Sequence, residues 1–143
     1  MPYIRVWIHA VWSTKNREPY LQKAVRPIVF THIAENAKLK GIYLDCVNGH
    51  TDHAHCLISL GGSQTIAKTI QLIKGESSLW INKSNLIKES FEWQDEYFAV
   101  LVSESQINAV RKYIDNQEAH HQKITFEQEY QEFISKYGFK LMK

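Results

Sequence analysis

The chain has 143 residues, of which 44% are hydrophobic and 12% aromatic, so we expect one packed domain over residues 1–143 with little room for a second. A net charge of +2 neither indicates nor excludes a nucleic-acid partner. No long uncharged apolar segment offers a membrane span and the N-terminus lacks a signal-peptide layout, which predicts a cytoplasmic protein.

The chain begins with a predicted strand followed by a predicted helix. Residues 3–13 are rich in Ile, Val and Trp at both odd-numbered and even-numbered positions, apart from Arg5 and His9. This pattern predicts a central strand that is covered on both faces. In residues 21–33 the apolar side chains recur at helical spacing, and Gly41 is predicted to end that helix.

Two further strands and a second helix are predicted in the middle of the chain. The strands are expected at residues 42–47 and 53–60, with Asn48–Gly49 as the hairpin turn between them. The apolar stripe from Ile66 to Ile81 then has helical spacing. The polar stretch 82–92 that follows is predicted to be a loop.

The last part of the chain is predicted to hold one strand and two helices. The strand is expected at residues 97–102. A Ser or Thr followed three residues later by Gln then occurs twice, which predicts helices at about 103–121 and 125–137. The order β-α-β-β-α-β with C-terminal helices predicts the α+β class, with a ferredoxin-like antiparallel sheet that carries helices on one face. Because this fold hosts many functions, the function has to be inferred from the site.

Two histidines are predicted to project from the same face of the third strand. His53 and His55 are separated by one residue, which corresponds to roughly 6–7 Å of strand rise, whereas Ala54 points into the core. Two imidazoles at that spacing can bind one transition-metal ion. Such short motifs also occur by chance, so solvent-facing or hydrogen-bonded histidines are the alternative interpretation. A metal site therefore needs a partner elsewhere in the chain.

Tyr113 and Gln117 are a candidate partner for the histidines. They are four residues apart, so they are neighbours on one side of the predicted helix, along the edge of its apolar stripe. A tyrosine that attacks a phosphodiester forms a phosphotyrosine, which conserves the energy of the broken bond for a later joining step. A metal that withdraws charge from the phosphate would assist this attack. The alternative is a tyrosine at the core margin with its hydroxyl in water.

Together these motifs resemble the single-tyrosine transposases of the HUH class, which are bacterial insertion-sequence enzymes that move as single-stranded DNA, and their REP-associated relatives. The resemblance covers nearly the whole chain. The segments that carry it are Val11–Lys15, Asp52–His55, Leu72–Gly75, Trp93–Gln94, Tyr113–Glu118 and His120–His121. The chain departs from the family pattern at Thr51, Ala54, Cys56 and Glu96, none of which is a ligand or the nucleophile.

The resemblance implies a metal-dependent nuclease and strand transferase. In that family the two histidines and the glutamine bind Mg²⁺ or Mn²⁺, and the tyrosine attacks single-stranded DNA to give a 5′-phosphotyrosine and a free 3′-OH. The motif match makes His53, His55 and Gln117 the expected ligands and Tyr113 the expected nucleophile. Members are typically homodimers in which the tyrosine helix can serve the partner's histidines, and they recognise hairpins near the ends of the element.

Three basic residues are candidates for binding the DNA backbone. Lys15 and Arg17 follow the first strand, and Lys74 lies in the second helix within a segment that matches the family. An ordinary solvated side chain is the alternative for each of them.

Two other functions also stay open, namely a domesticated relative that binds or processes repeated hairpin DNA without transposing, and a nucleic-acid-binding ferredoxin-like module without catalysis.

Overall fold

The computed structural model describes residues 3–137, in which a four-stranded antiparallel sheet lies between two groups of helices. The strands are β1 (Val6–Ser13), β2 (Tyr43–His50), β3 (His53–Leu60) and β4 (Phe98–Val102). They are arranged in the order β2-β3-β1-β4, and every neighbouring pair is antiparallel. This arrangement confirms the predicted α+β class with a ferredoxin-like sheet.

The helices differ in the face of the sheet that they cover. The first face packs against α1 (Arg26–Leu39) and α2 (Ile66–Ser84) and forms the main core, as predicted. The C-terminal helices are α3 (Ile107–Asp115), α4 (Gln117–His120) and α5 (Phe126–Tyr137), and residues of α3 and α5 pack on the opposite face. Within residues 3–137, no helix combines the length and the apolarity needed to cross a membrane.

The central strand β1 separates the two faces, as its apolar pattern predicts. Ile8, Ala10 and Trp12 point into the main core, whereas Trp7 and Val11 pack toward the C-terminal helices. Successive side chains of a strand point to opposite faces, so His9 lies on the same face as Trp7 and Val11. The C-terminal helices therefore cover a histidine of β1.

The hairpin between β2 and β3 turns later than predicted. Asn48 and Gly49 belong to β2, where they pair with His55 and Ala54, and the turn lies at Thr51–Asp52. Gly49 is required here for close approach, because a Cβ at this position would lie 2.0 Å from the carbonyl oxygen of His53. The glycine therefore marks a tight strand contact and not a turn.

The predicted helix at 103–121 is interrupted twice. Its N-terminal end, Glu104–Gln106, is a 3₁₀ turn, and the hydroxyl of Ser103 makes no helix-capping bond. Asn116, with φ −96° and ψ 17°, then separates α3 from α4. The second capping motif is confirmed, because the backbone N–H of Thr125 donates to Gln128 Oε1 at 2.8 Å and the N–H of Gln128 donates to Thr125 Oγ1 at 3.2 Å.

Candidate metal and nucleophile site

The histidine pair lies on the sheet face that α3 and α5 cover. His53 and His55 are both 0% exposed, and Ala54 between them packs into the main core. In the sheet register His53 pairs with Ser13 and His55 with Val11, both at the C-terminal end of β1. The alternation of β3 thus places both imidazoles together, away from solvent.

Both imidazole rings are held through their Nδ1 atoms. Nδ1 of His53 donates to Asp52 Oδ1 at 2.8 Å, which leaves a lone pair on Nε2. Nδ1 of His55 lies 2.9 Å from His9 Nε2, and a proton donated from His55 to His9 would leave the same lone pair on His55 Nε2. Hydrogen bonds of this kind orient metal-binding histidines in proteins. Asp52 and His9 are therefore placed to position the pair.

Gln117, the third predicted ligand, lies next to the pair at the start of α4. Its Oε1 is 3.1 Å from His53 Nε2 and 3.0 Å from His121 Nε2. Its Nε2 donates to the carbonyl oxygen of Tyr113 at 3.2 Å, which turns the amide oxygen toward the histidines. The side chain is 0% exposed. A buried amide oxygen thus meets the histidine pair immediately after the helix break at Asn116.

Glu129 of α5 adds a carboxylate that the sequence motifs do not contain. Its Oε1 lies 3.1 Å from His55 Nε2 and 3.4 Å from His53 Nε2, and the residue is 1% exposed. The same oxygen lies 3.4 Å from Nε2 of His121. Glu129 falls on the apolar side of α5, between Phe126 and Phe133, and a charged residue at such a position was the one available signal.

The donor set fits a divalent cation. One atom from each of His53, His55, His121 and Glu129 can be chosen so that all four lie within 4.8 Å of one another. Acceptor atoms that converge in a buried site repel one another unless a proton or a cation lies between them. Ligands about 2.1 Å from an octahedral ion are about 3 Å apart, close to the separations observed here. Imidazole and carboxylate together are compatible with several divalent metals.

Burial sets the charge of the cluster. It lowers the pKa of His55 well below its ordinary value and lowers the pKa of His9 and of His121 to about 4. These histidines are therefore neutral at pH 7, the form that binds metals. Burial, with smaller contributions from Glu132 and Asp52, raises the pKa of Glu129 to about 8. Without a cation, Glu129 consequently retains its proton at neutral pH.

Tyr113 lies beside the cluster in the same chain. Its hydroxyl donates to Glu129 Oε2 and lies 3.5 Å from His120 Nε2. The centroid of its ring is 5.5 Å from that of His55 and 6.0 Å from that of His9. The structure thus brings together the predicted nucleophile and the three predicted ligands.

Lys15 and Lys74 line a second cavity and differ in their contacts. Lys15 is exposed and pairs with Glu92 at 3.4 Å. Nζ of Lys74 donates to the carbonyl oxygens of Gln94 at 2.5 Å and Asp95 at 3.0 Å, and burial lowers the pKa of Lys74. Lys74 therefore holds a loop, whereas the side chain of Lys15 makes a surface ion pair. DNA binding by either residue stays a prediction.

Arg17 joins the end of β1 to α5. It forms an ion pair with Glu127, and its guanidinium carbon lies 5.3 Å and 5.0 Å from the ring centroids of Phe126 and Tyr130. All three contacts are with α5, the helix that carries Glu129. Its predicted contact with DNA likewise stays a prediction.

Comparison with known proteins points to one family. The family model described as IS200-like transposase matches residues 3–117. A solved structure from Deinococcus radiodurans R1, assigned as a transposase, is 22% identical, with a TM-score of 0.66 over 81% of this chain and 93% of that one. A REP-associated tyrosine transposase bound to a REP hairpin is 16% identical, with a TM-score of 0.55 over 86% and 71%. At these low sequence identities, both similarities show a shared fold and do not by themselves show a shared function. No curated protein matches the chain significantly.

Proposed function

The chain belongs to the IS200-like transposase family, and from this premise we propose that it cleaves and rejoins single-stranded DNA at hairpin-marked ends through a 5′-phosphotyrosine on Tyr113. The observation that carries the proposal is the convergence of His53, His55 and Gln117 next to the Tyr113 hydroxyl. Binding of hairpin DNA alone requires neither a buried histidine pair nor a positioned phenol. The arrangement therefore favours the catalytic function over a binding module.

The proposed cleavage is an exchange of one phosphodiester for another. The Tyr113 oxygen forms a bond to phosphorus, the bond from phosphorus to the 3′ oxygen breaks, and the phenolic proton is ultimately balanced by protonation of that 3′ oxygen. Rejoining reverses the exchange when a second 3′-OH attacks the phosphotyrosine. Glu129 accepts the hydrogen bond of the Tyr113 hydroxyl, so an ionised Glu129 is placed to accept its proton.

The buried donor set is proposed to hold one divalent ion, Mg²⁺ or Mn²⁺. His53, His55 and Gln117 would bind it, as the family resemblance implies, and Glu129 and His121 are further donors at the same place. When bound, such an ion withdraws charge from a scissile phosphate. Asp52 and His9 would keep the lone pairs of the two histidines directed at it.

The proposed partner is single-stranded DNA that carries a hairpin. The REP-associated relative with the same fold was solved with a REP hairpin, which supports this choice. Lys15, Arg17 and Lys74 are the proposed backbone contacts. The proposal also includes a homodimer and a location in the cytoplasm, as the resemblance and the sequence predict.

The proposal is tested by trapping the covalent intermediate. Hairpin-bearing single-stranded oligonucleotides from the DNA that flanks the gene, labelled at the 5′ or the 3′ end, are incubated with protein and Mg²⁺ or Mn²⁺ and separated on a denaturing protein gel. We expect a metal-dependent adduct that keeps the 3′ label, because the tyrosine is joined to the 5′ phosphate of the downstream fragment.

Two tyrosine variants make the test specific. Tyr113→Phe should abolish the adduct, whereas Tyr43→Phe should not, because Tyr43 lies on the edge strand β2, 62% exposed and away from the cluster. An adduct that survives Tyr113→Phe would contradict the assigned nucleophile. Hairpin binding without an adduct in either metal would favour the domesticated, binding-only relative.

A further inference from the structure

A cavity of about 380 Å³ lies directly beside the histidine pair, between the end of β1, the start of β4 and α5. Phe126 forms part of its wall, and the same ring stacks on His53 at a centroid distance of 4.1 Å and an angle of 12°. Ser13 also lines the cavity and pairs with His53 in the sheet. A group bound in the cavity would thus be separated from the histidine of the candidate metal site by the ring of Phe126.

The walls of the cavity offer flat aromatic surfaces. Tyr97, Tyr130 and Phe133 line it together with Phe126. Tyr97 is 41% exposed, and the guanidinium carbon of Arg17 lies 5.0 Å from the Tyr130 centroid, which adds a planar cation to the wall. Aromatic rings and arginine are the groups on which unpaired bases stack. The volume is sufficient for one nucleobase. The guanidinium of Arg17 is suited to bind the phosphate of the same nucleotide.

Among the polar residues that line the cavity, which include Glu96, Gln94 has an amide that is free to donate. The backbone N–H of Asn16 donates to Gln94 Oε1 at 3.1 Å. Within residues 3–137, Gln94 Nε2 has no hydrogen-bond partner, although the residue lines the cavity. Asn16 and Arg17 have φ of 56° and 55°, a left-handed backbone that is uncommon for residues other than glycine and that is often found at functional sites.

The backbone that carries this amide is held from two sides. The N–H of Gln94 donates to the carbonyl oxygen of Ser13 at 2.9 Å, and Nζ of Lys74 donates to the carbonyl oxygen of Gln94. A polar group on a fixed backbone can select one ligand because little ordering is needed on binding. Glutamine amides also recognise bases through hydrogen bonds to their edges.

We propose that this cavity binds one unpaired nucleobase of the single-stranded DNA next to the scissile phosphate, and that Gln94 contacts the edge of that base and sets the base preference at the cleavage site. The inference rests on the proposed function, since it names the base pocket of the same site. It adds Gln94 and Tyr130 as residues that determine specificity.

The test measures base preference at each position around the cleavage site. Hairpin oligonucleotides whose single-stranded flanks are randomised are incubated with Mn²⁺, and the DNA in the covalent adduct and in the released fragment is sequenced. In the wild type we expect one flanking position to be enriched for one base by about tenfold. Gln94→Glu, which keeps the shape but replaces the donor, and Gln94→Ala should remove the enrichment at that position alone. Gln71→Ala, which alters an exposed glutamine of α2, should retain it.

A second measurement does not depend on cleavage. The trinucleotide dT-2-aminopurine-dT is titrated into Tyr113→Phe protein in EDTA, and stacking is followed as quenching of the 2-aminopurine fluorescence. We expect saturable quenching, a dissociation constant about tenfold weaker with Gln94→Glu, and loss of quenching with Tyr130→Leu. Far-ultraviolet circular dichroism shows that each variant is folded.

The outcomes separate the two proposals. A wild-type adduct whose base preference is the same in both Gln94 variants overturns the pocket, as does quenching that does not depend on Tyr130. Quenching that depends on Gln94 and Tyr130, together with no adduct in any pool, supports the pocket and overturns the proposed cleavage.

Discussion

The hydroxyl of Tyr113 donates a hydrogen bond to the carboxylate of Glu129, a residue that belongs to none of the recognised motifs. The other carboxylate oxygen of Glu129 lies 3.1 Å from His55 Nε2. One side chain therefore joins the candidate nucleophile to the histidine pair. The helix that supplies it lies beyond residues 3–117, the part that the family model matches. The candidate site of this chain thus includes a residue that the family match does not reach.

Glu129→Gln should impair both metal binding and cleavage. The change keeps the size of the side chain and removes the charge that faces the histidines and the base that faces Tyr113. We expect Mn²⁺ affinity, measured by isothermal titration, and the rate of adduct formation each to fall about 10–100-fold. Lys136→Gln, an exposed change on the same helix, is the control. Unchanged affinity and rate in Glu129→Gln would mean that the carboxylate serves only the packing of α5.

The same substitution should stabilise the metal-free protein at high pH. The pKa of Glu129 is raised in the folded state to about 8, so folding favours its neutral form. Stability from this group is therefore complete below its ordinary pKa of 4.5 and is lost as the pH rises from there through about 8. In EDTA at about pH 8 we expect Glu129→Gln to unfold with a free energy about 1–3 kcal/mol higher than the wild type, with little difference near pH 5.

Urea unfolding at the two pH values measures this effect. Addition of Mn²⁺ at the higher pH should stabilise the wild type more than the variant, because the ion favours the ionised carboxylate. Equal stability of the two proteins in EDTA at both pH values would show that Glu129 is not held as a buried neutral acid.

Mixed dimers should distinguish a site within one chain from a shared site. The Tyr113 hydroxyl contacts Glu129 of its own chain, so this geometry predicts that each chain uses its own tyrosine. In mixtures of His53→Ala and Tyr113→Phe proteins we therefore expect no recovery of the covalent adduct, once mixed dimers have been verified by mass spectrometry. Recovery would show instead that α3 and its tyrosine serve the partner, as the family resemblance implies.

The two lysines should respond differently to salt. Lys15 is exposed, so its contact with a phosphate would release a counterion, and Lys15→Ala should reduce the slope of log affinity against log salt by about 1. Lys74 already donates to two carbonyl oxygens. Lys74→Ala should therefore weaken hairpin binding by loosening the loop and leave the slope unchanged. A slope reduced by Lys74→Ala would identify this lysine as a direct phosphate contact.

The local pattern of the sequence was sufficient to predict the strands of the sheet and the placement of the two histidines on one face of β3. β3 begins at His53 and ends at Leu60 as predicted, because alternating burial and a run of β-forming residues are local properties. The hairpin turn and the helix at 103–121 were predicted wrongly. Gly49 is needed for contact with the neighbouring strand, and the helix breaks at Asn116, directly before Gln117 contacts His53 of the sheet. The first effect depends on the pairing of β2 with β3, and the second depends on contact with a strand that lies far away in the chain.

The sequence by itself determined the family, the fold class and the spacing of His53, His55, Tyr113 and Gln117, because each is carried by motif order or by periodicity along one element. Only the tertiary structure decided that Glu129 and His121 complete the cluster and that His9 holds His55. These residues lie on separate elements. A charged residue on the apolar side of α5 was a signal, but the sequence does not show which side chains it contacts. Glu129 reaches the site because α5 packs onto this face of the sheet, and His9 reaches His55 because β1 pairs with β3. This packing excludes water from the site and thereby shifts the pKa of its groups.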